Sequence, residues 1–506
     1  MNRSSILSSA IVGVLVLVLA ACSTGGKVTG TKETAAGTQT ETDATVAYDG
    51  KTARIVVAYN DETNEQQYIA YTSSDRTVHR GASLMGWSYS DDQGGSWSYG
   101  GKVAPPSQWS VLWGDPAVTT SRARYSVVFM SNLAVPRAKF PKGGIRGYFY
   151  YGDGRESYIG GACLAKSVDG GKTFANYQCL TNKTNVPDVP DSPLGNFYDG
   201  GSMASDSEGA VYASYTDVAT GQIDVWRSPN ENGSFQMLPA PFPNLVAASH
   251  PLLRPGPDGA LYVAAQEVGG TDPNGNQLYY VYMNRYVNGS WNANPVRVSG
   301  VSALYPDVRF GTTLLGSELT VRTAQQFGYD IGSSSPGGDD AIRLLYTTYD
   351  STGHLYVEAT ACSADLSSCN DVPGWKFQGQ GPGNSAIDVY DPDVTAFVGT
   401  IGFAPTWQAS WDYHWGSESS TNVSRTTLGY LANGNAFIFP IDIIQNAPVC
   451  SDERGYWGDY DAFILAGFNQ TRGVWMRFLT DSSAGCTERW GFTADAQHLQ
   501  ESSYTY

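Results

Sequence analysis

Acidic residues and one histidine recur at the openings of strand-like segments, where they could transfer protons or bind hydroxyl groups. Most are followed directly by proline or glycine. The set comprises Asp115, Asp199, His250, Asp307, Asp391 and Asp459. Paired carboxylates supply the acid and the base or nucleophile in glycoside hydrolysis. The alternative is structural, because Asp-Pro and Asp-Gly are common turn formers and such residues also cap short strands.

Residues 454–461 combine a guanidinium, aromatic rings and carboxylates within one short segment. Such a segment offers a bidentate grip, a stacking surface and acid/base groups, and its glycines permit close backbone approach. The alternative is a strand entrance with packed aromatic rings. The sequence predicts a site in which Asp459, Tyr460 and Asp391 are catalytic and Asp115, Trp113, Arg454 and Trp457 bind the ligand.

Two further segments carry side chains suited to sugars. Residues 137–155 contain five basic residues among aromatic ones, and this loop either grips an acidic sugar or packs as a solvated loop. The second segment holds three tryptophans beside a tyrosine and a histidine, which offer flat faces to sugar rings or fill a core. Its aromatic and imidazole residues are Trp407, Trp411, Tyr413, His414 and Trp415.

No metal or other cofactor is expected from the sequence. The five histidines are scattered without ligand spacing, and no Cys-x-x-Cys motif occurs.

One turn pattern occurs twice, in residues 90–97 (SDDQGGSW) and 167–174 (SVDGGKTF). Both fit Ser-x-Asp-x-Gly-x-Ser/Thr-aromatic. Short Ser and Asp side chains bond nearby amides, Gly supplies positive φ, and the aromatic residue packs into the core. Weaker copies begin at Ser228 and Ser363.

These turns resemble the Asp-box, or bacterial neuraminidase repeat, of sialidases and their relatives. The resemblance implies an all-β fold, a single β-propeller, with the Asp-boxes at the periphery and away from the active face. For a working sialidase it also implies an arginine triad, a tyrosine nucleophile with a glutamate partner, and an aspartate acid/base. An Arg-Ile-Pro motif is expected before the first Asp-box, and Arg54-Ile55-Val56 matches its first two residues.

The strand openings recur about every 69 residues on average between Asp115 and Asp459, which suits four-stranded blades. With an earlier unit in residues 46–100, seven blades are favoured over the six of sialidases. Alternating stretches rich in Tyr, Val and Phe predict strands within each unit. The propeller is expected to span residues 46–495, with a C-terminal tail at 496–506.

The N-terminal sequence resembles a targeting signal. Residues 1–21 contain a short apolar run, and Leu19-Ala20-Ala21-Cys22 resembles the bacterial lipobox, which implies a signal peptide and lipidation at Cys22. The polar residues that follow predict a flexible tether at 22–45. We expect a protein anchored to the bacterial cell envelope by its lipid, facing the periplasm or the exterior. The alternative is an ordinary cleavage site and a freely secreted protein.

Composition agrees with a folded, mostly β protein. The 506 residues include 57 Gly, 32 Tyr and 13 Trp, and the net charge of −17 disfavours nucleic-acid binding.

The cysteines indicate an oxidising compartment. Beyond Cys22 an even number remains, and fifteen pairings are formally possible. Pairing of neighbours is favoured because two of the pairs flank the turns described above. The expected disulfides are Cys163–Cys179, Cys362–Cys369 and Cys450–Cys486.

Three function classes remain open from the sequence. The first is an envelope-anchored propeller that recognises a glycan or protein ligand at the channel face. The second is an exo-acting glycoside hydrolase that uses channel-face carboxylates, and the third is a structural envelope protein. Oligomeric state is not predicted.

Overall fold

The computed structural model describes part of the chain, and every structural statement concerns that part. The described residues are 27–30, 39–61, 69–72, 75–78, 83–92, 96–106, 109–136, 161–180, 198–218, 220–271, 277–299, 303–304, 307–309, 320–322, 327–332, 341–349, 355–377, 379–380, 386–397, 406–417, 420–425, 428–432, 435–439, 443–445, 455–456, 462–467, 470–478 and 497–505.

The regular elements in these residues are strands, which form mainly antiparallel sheets that follow one another along the chain. Strand β1 (Lys27–Gly30) joins the last sheet. The first sheet contains β2 (Gln39–Tyr48) and β3 (Ala53–Asp61), then, after a separate hairpin of β4 (Ile69–Thr72) and β5 (Asp75–Val78), β6 (Met85–Ser90) and β7 (Ser98–Lys102).

The second and third sheets have four strands each. The second contains β8 (Trp109–Thr120), β9 (Val128–Pro136), β10 (Gly161–Ser167) and β11 (Ala175–Leu180). The third contains β12 (Tyr198–Ser205), β13 (Val211–Asp217), β14 (Gln222–Ser228) and β15 (Gln236–Met237).

The fourth and fifth sheets are separated by a small one. The fourth contains β16 (Ala248–Pro255), β17 (Leu261–Thr271), β18 (Gln277–Val287), β19 (Ser290–Trp291), β20 (Val296–Arg297) and β21 (Ala303–Leu304). Strands β22 (Asp307–Arg309) and β23 (Thr320–Arg322) belong to the small sheet. The fifth contains β24 (Phe327–Ile331), β25 (Ile342–Tyr349), β26 (Leu355–Cys362) and β27 (Cys369–Phe377).

The sixth and seventh sheets complete the chain. The sixth contains β28 (Gly379–Gln380), β29 (Ala386–Phe397), β30 (Thr406–Ser417), β31 (Ser420–Arg425), β32 (Leu428–Ala432), β33 (Asn435–Phe439) and β34 (Ile443–Gln445). Strand β35 (Gly455–Tyr456) pairs with β23 in the small sheet. The seventh contains β36 (Ala462–Gly467), β37 (Gln470–Phe478) and β38 (Gln497–Thr505), with β1 at its outer edge.

The first strands of successive sheets contact one another in chain order. Strand β2 contacts β8, β8 contacts β12, and the series continues through β16, β24, β29 and β36 back to β2. We call these strands the inner strands. A closed succession of antiparallel sheets around an axis is the architecture of a β-propeller, and the predicted all-β fold is confirmed.

The hydrophobic core lies between the faces of neighbouring sheets. Between the first and second sheets, Val56 and Met85 pack with Val128 and Cys163 in one buried cluster. Similar clusters join the second sheet to the third, the third to the fourth and the fourth to the fifth. Because each of the first five sheets shares apolar side chains with its neighbour, packing between these sheets holds their inner strands in position.

The repeated turns join the third strand of a sheet to the fourth. In the first sheet, the Ser90 hydroxyl and the Ser96 backbone N–H both donate to Asp92 Oδ1, each at 2.8 Å. In the second, the Ser167 hydroxyl and the Thr173 N–H donate to Asp169 Oδ1 at 2.7 and 3.0 Å. The two turns thus have the same hydrogen-bond pattern. The weaker copies also lie after third strands, β14 and β26.

Two predicted disulfides are confirmed, and each closes a turn between a third and a fourth strand. Cys163 bonds to Cys179 and Cys362 bonds to Cys369. The third predicted pair, Cys450 and Cys486, lies outside the described residues.

Several sequence boundaries differ from the structure. Strand β1 and the start of β2 lie within the predicted tether at 22–45, and β38 occupies most of the predicted tail at 496–506. Asp307 was expected to open an inner strand, but it lies in the small sheet, and the inner strand of the fifth sheet is β24. Among the described residues, no helix is long and apolar enough to span a membrane.

Candidate functional site

The inner strands of five sheets share an irregularity near their N-terminal ends. The register of each against its neighbour shifts there, as in a β-bulge. The shifts lie between Thr40 and Asp43 in β2, Gly114 and Ala117 in β8, Asp199 and Gly201 in β12, Ser249 and Leu252 in β16, and Tyr390 and Asp393 in β29. We call the end of the ring where these shifts lie the bulge end.

Three of the bulges contain a residue followed by proline: Asp115-Pro116, His250-Pro251 and Asp391-Pro392. In each case the register leaves two residues opposite one on the neighbouring strand. Proline has no N–H to donate, so it fits where the ladder is already interrupted. The sequence pattern of strand openings therefore marks real bulges in these sheets.

The bulges of the second, third and fourth sheets adopt left-handed backbone conformations at one residue each. The φ angles are 52° at Asp115, 51° at Gly200 and 52° at His250. Left-handed φ is uncommon for residues other than glycine. A bulge redirects a side chain relative to a regular strand, and it is a recurring feature beside functional sites.

These three bulges are in contact with one another. The Gly200 N–H donates to Asp115 Oδ2 at 3.2 Å, so the second sheet is bonded to the third at this point. A Cβ atom on Gly200 would lie 3.3 Å from His250 Cδ2, which places the imidazole directly against the glycine. The His250 N–H donates to Thr216 Oγ1 at 3.0 Å. Asp115 and His250 therefore flank Gly200 from the two adjacent sheets.

Buried amides support the bulge of the second sheet from beneath. Asn132 lies opposite Asp115 and Pro116 in β9, and its Oδ1 accepts the Gly114 N–H at 3.0 Å. A Cβ atom on Gly114 would lie 2.9 Å from Asn60 Oδ1 of the first sheet. Because Gly114 has a φ of 137°, a larger residue there would be strained as well as crowded. These contacts fix the position of Asp115.

The first sheet contributes a carboxylate at the same end. Asp61, the last residue of β3, is fully buried. It accepts a hydrogen bond from the Tyr99 hydroxyl at 2.7 Å and lies 3.8 Å from Lys102 Nζ. This carboxylate is therefore held by partners within its own sheet.

Asp43 follows the bulge of β2 and faces the second sheet. Its Oδ2 accepts the Val118 N–H at 2.7 Å and its Oδ1 accepts the Ala44 N–H at 2.8 Å. Burial raises the pKa of Asp43 to about 6, while these hydrogen bonds and the positive charge of Arg254 act in the opposite direction. In the third sheet a hydroxyl takes the place of this carboxylate: Ser202 Oγ accepts the Leu253 N–H of the fourth sheet at 3.0 Å.

Arg54, which matches the first residue of the Arg-Ile-Pro motif, lies away from the bulge end. Arg54 is 1% exposed and binds Asp49, Asp91 and the turn of the second sheet. In β3 it lies at the opposite end from Asn60 and Asp61, which pair with the start of β2. Arg54 is thus a structural residue and does not belong to the bulge end.

The structure brings only some of the predicted site residues together. Asp115 is placed against Gly200, beside Asp199 and His250. Trp113 precedes Asp115 in β8, and Asp391 lies in the bulge of β29. Arg454, Trp457, Asp459 and Tyr460 lie outside the described residues, as does the basic loop at 137–155.

The tryptophan-rich segment forms the central strand β30 of the sixth sheet. Sequence reasoning missed Asn132, Thr216 and Asp43, which hold the bulges and the inner strands in place. No motif marks these residues, because their partners come from other strands or other sheets.

The chemistry at the bulge end consists of carboxylates, an imidazole and backbone amides. Such groups accept and donate hydrogen bonds to hydroxyls, and carboxylates also serve as acids and bases. Within the described part of the chain, no cluster of three or more His, Cys, Asp or Glu residues is arranged to hold a metal ion.

No protein-family model matches the chain, and no curated protein matches it. Solved structures of similar fold include a protein of unknown function from Dyadobacter fermentans, which is 10% identical with a TM-score of 0.46. That likeness covers 96% of this chain and 100% of the other.

Sialidases and glycoside hydrolases are also among these structures. The NanB sialidase of Streptococcus pneumoniae is 10% identical with a TM-score of 0.43, over 79% of this chain and 70% of that one. An alpha-L-arabinanase of Penicillium chrysogenum is 9% identical with a TM-score of 0.43, over 80% and 97% respectively.

Proposed function

We propose that the protein is a seven-bladed β-propeller of the bacterial cell envelope that binds a glycan at the bulge end of its channel. One observation carries the proposal: Asp115, Gly200 and His250 lie side by side on three adjacent inner strands. Side chains from separate blades that converge at one end of a propeller axis suit a ligand site.

The groups at this end suit a sugar. Carboxylate oxygens accept hydrogen bonds from hydroxyls, and an imidazole can donate to or accept from them. The bulges and the buried amides beneath them hold these groups before a ligand arrives, and such preorganisation lowers the entropic cost of binding. A surface protein carrying such sugars is an equivalent partner, whereas a net charge of −17 disfavours nucleic acid.

Anchoring is the second part of the proposal. Cys22 follows an apolar run and a lipobox-like sequence, so we place the mature protein on the envelope through a lipid at that cysteine. Replacing Cys22 by Ala should move the protein from the membrane fraction to the soluble fraction, or leave it unprocessed. Unchanged processing and unchanged detergent partitioning would contradict the anchor without touching the glycan site.

Glycan binding is tested by titrating a panel of oligosaccharides into the wild-type protein and the Asp115→Asn, Asp199→Asn and His250→Gln variants. Each variant should bind about tenfold or more weakly, because the loss of a hydrogen bond to a charged group costs roughly 1.5–3 kcal/mol of binding free energy. The matched control is Glu208→Gln, an exposed carboxylate in the turn between β12 and β13. Wild-type affinity in all three site variants would contradict the site.

Hydrolysis is the second candidate function, because the bulges place Asp115, Asp199 and Asp391 at inner-strand positions suited to paired acid and base groups. Release of reducing sugar from the same panel separates the two candidates. If Asp391, Asp459 or Tyr460 is catalytic, its substitution should lower the rate by roughly 100-fold or more. Binding without release of sugar supports recognition alone. If the protein neither binds nor cleaves the probes, the structural envelope protein is the remaining class.

A further inference from the structure

The inner strands run from the bulge end toward the opposite end of the propeller. In five sheets the register shift lies near the N-terminal end of the inner strand, so each of these strands ends at the other end of the ring. Strand β2, for example, begins beside its bulge and ends at Tyr48. We call this opposite end the turn end, because it carries the turns that follow the inner strands.

The N-terminal strand β1 starts on the side of the turn end. It pairs antiparallel with β38, β38 with β37, and β37 with the inner strand β36 of the seventh sheet, so β1 runs opposite to β36. Equivalent strands of a propeller are related by rotation about its axis, so β36 runs in the same direction as its neighbours β29 and β2. The chain therefore enters β1 at Lys27 from the turn end and leaves it at Gly30 toward the bulge end, where β2 begins.

The anchor proposed at Cys22 therefore lies close to the turn end. Cys22 precedes Lys27 by five residues, and five residues span at most about 18 Å. By register, Lys27 lies level with Ile464, and β36 continues for three more residues to Gly467, which is about 10 Å. A lipid on Cys22 can thus be attached no more than about 8 Å beyond the end of β36, which holds the turn end of the seventh sheet near the bilayer.

The turn end of the adjacent sheets exposes aromatic and apolar side chains. Tyr48 is 46% exposed, Tyr125 is 55% exposed and Val168 is 59% exposed. Their three turns are in contact, because the Tyr48 N–H donates to the Tyr125 carbonyl and the Gly170 N–H donates to the Ser126 carbonyl, each at 2.8 Å. Strand β2, which ends at Tyr48, contacts β36, β37 and β38. These exposed side chains therefore lie on the sheets next to the one that carries the anchor.

Charge on these turns differs from that of the whole protein. The turns at 49–52, 121–127 and 168–174 contain more cations than carboxylates. The charged residues are Lys51, Arg122, Arg124 and Lys172 against Asp49 and Asp169. The neighbouring turn at 91–97 adds Asp91 and Asp92, and the buried Arg54 pairs with Asp91. Cations and carboxylates are thus nearly balanced here, whereas the whole protein carries a net charge of −17, so this surface is repelled less by anionic lipid than the protein as a whole.

We propose that the turn end of the first and second sheets, with Tyr48, Tyr125 and Val168, lies against the lipid surface to which Cys22 is anchored. Tyrosine suits the headgroup region because it joins an apolar ring to a polar hydroxyl, and neighbouring lysine and arginine side chains can extend their charges into that region. The inference rests on the proposed anchor and adds the orientation of the folded body. The bulge end, with Asp115 and His250, then faces away from the bilayer.

The test is hydroxyl-radical footprinting of the lipid-anchored protein, in vesicles of phosphatidylethanolamine and phosphatidylglycerol and in detergent solution. Mass spectrometry measures the oxidation of each tyrosine. Tyr48 and Tyr125 should be oxidised at least threefold less in vesicles than in detergent. Tyr99 is the internal control, because it is 40% exposed on β7 and its hydroxyl donates to Asp61 at the bulge end. Its oxidation should be similar in the two samples, and equal oxidation of all three tyrosines in both would overturn the orientation.

A carboxylate placed on this surface should remove the protection. In vesicles, Tyr125→Asp and Val168→Asp should each raise the oxidation of Tyr48 to its level in detergent, because a charge is costly to remove from water. Val246→Asp is the matched control, since Val246 is 81% exposed at the bulge end, where its N–H donates to Glu267. This control should leave Tyr48 protected, and the melting temperature of each variant reports its folding.

Flotation of the vesicles separates the anchor from the orientation. If the protein floats with the vesicles but Tyr48 and Tyr125 are as accessible as in detergent, the lipid-facing surface is wrong and the anchor stands. If wild-type protein does not float with the vesicles, the anchor and the lipid-facing surface fall together, while the glycan site is unaffected. Protection of Tyr48 that grows with protein concentration without lipid would assign this surface to a second copy of the chain and would also overturn the proposal.

Discussion

The guanidinium of Arg54 in the first sheet donates to the carbonyl oxygen of Gly170 in the second sheet at 2.9 Å. The same Nη1 also donates to the Asp169 carbonyl at 2.9 Å, and Nη2 and Nε bind Asp49 and Asp91. A Cβ atom on Gly170 would lie 2.6 Å from Nη1, so glycine is required for this approach. A buried cation therefore attaches the turn of one sheet to the sheet before it.

Other sheets are joined in the same way by different groups. Lys166 Nζ of the second sheet donates to the Glu231 carbonyl, in the turn of the third sheet, at 2.5 Å. Tyr262 of the fourth donates its hydroxyl to the Ala364 carbonyl, in the turn of the fifth, at 2.5 Å. The turns between third and fourth strands thus connect neighbouring sheets in the described part of the chain.

Replacing Arg54 by Met should destabilise the fold. The variant leaves the Asp169 and Gly170 carbonyls without the guanidinium that donates to them, and losing hydrogen bonds to a charged group costs about 1.5–3 kcal/mol. Urea denaturation followed by tryptophan fluorescence measures the change. Lys172→Met is the control, because Lys172 is 44% exposed and lies 3.7 Å from Asp91, and such surface pairs contribute at most about 1 kcal/mol. Equal effects of the two variants would contradict this role of Arg54.

The two confirmed disulfides should contribute unequally. Cys163 and Cys179 are separated by 16 residues and Cys362 and Cys369 by 7. A longer loop loses more entropy when it is closed in the unfolded chain, so we expect roughly 3 kcal/mol for the first and roughly 2 for the second. Denaturation of the Cys163→Ala/Cys179→Ala and Cys362→Ala/Cys369→Ala proteins gives both values. Non-reducing peptide mapping checks whether Cys450 and Cys486 form the third pair, and a bridge from either to another cysteine would contradict neighbour pairing.

Local sequence predicted the strands and the turns, and the residues that it took for strand openings, such as Asp115-Pro116 and His250-Pro251, lie at bulges of the inner strands. The prediction failed at Asp307, which lies in the small sheet rather than in an inner strand. Local chemistry does not decide which sheet a strand joins. The contact between Gly200 and Asp115 depends on the packing of distant segments, which no local motif encodes.

Asp43 should make the stability of the protein depend on pH. Its folded pKa is about 6 and its ordinary value is 3.8, so its contribution to folding is complete below about pH 4 and is lost as the pH rises through 6. Asp43→Asn removes that loss and can still accept the Val118 N–H through its amide oxygen. The difference in free energy of unfolding between the variant and the wild type should therefore favour the variant more at pH 7.5 than at pH 4. This difference should change by at most about 3 kcal/mol between the two pH values.

The measurement is urea denaturation of both proteins at pH 4, 5, 6 and 7.5. Because the two proteins share all other titrating groups, their difference isolates Asp43. A constant difference over this range would show that Asp43 titrates normally. Arg254→Met should act in the opposite sense to Asp43→Asn at pH 7.5, because it removes the positive charge that favours the ionised carboxylate.

Gly200→Ala should separate the backbone strain of a bulge from its effect on the ligand. Gly200 has a φ of 51° and Gly259, in the turn between β16 and β17, has a φ of 77°. An added Cβ in this left-handed region costs about 1–2 kcal/mol at either position. The surroundings differ, since a Cβ at Gly200 lies 3.3 Å from His250 Cδ2 and a Cβ at Gly259 meets nothing within 4 Å.

Both variants should lose similar stability by urea denaturation, and only Gly200→Ala should weaken glycan binding, because it displaces the imidazole and disturbs the N–H bond to Asp115. We expect a loss of at least fivefold in affinity for Gly200→Ala and less than twofold for Gly259→Ala. Equal affinities in the two variants would show that the bulge of the third sheet lies away from the ligand.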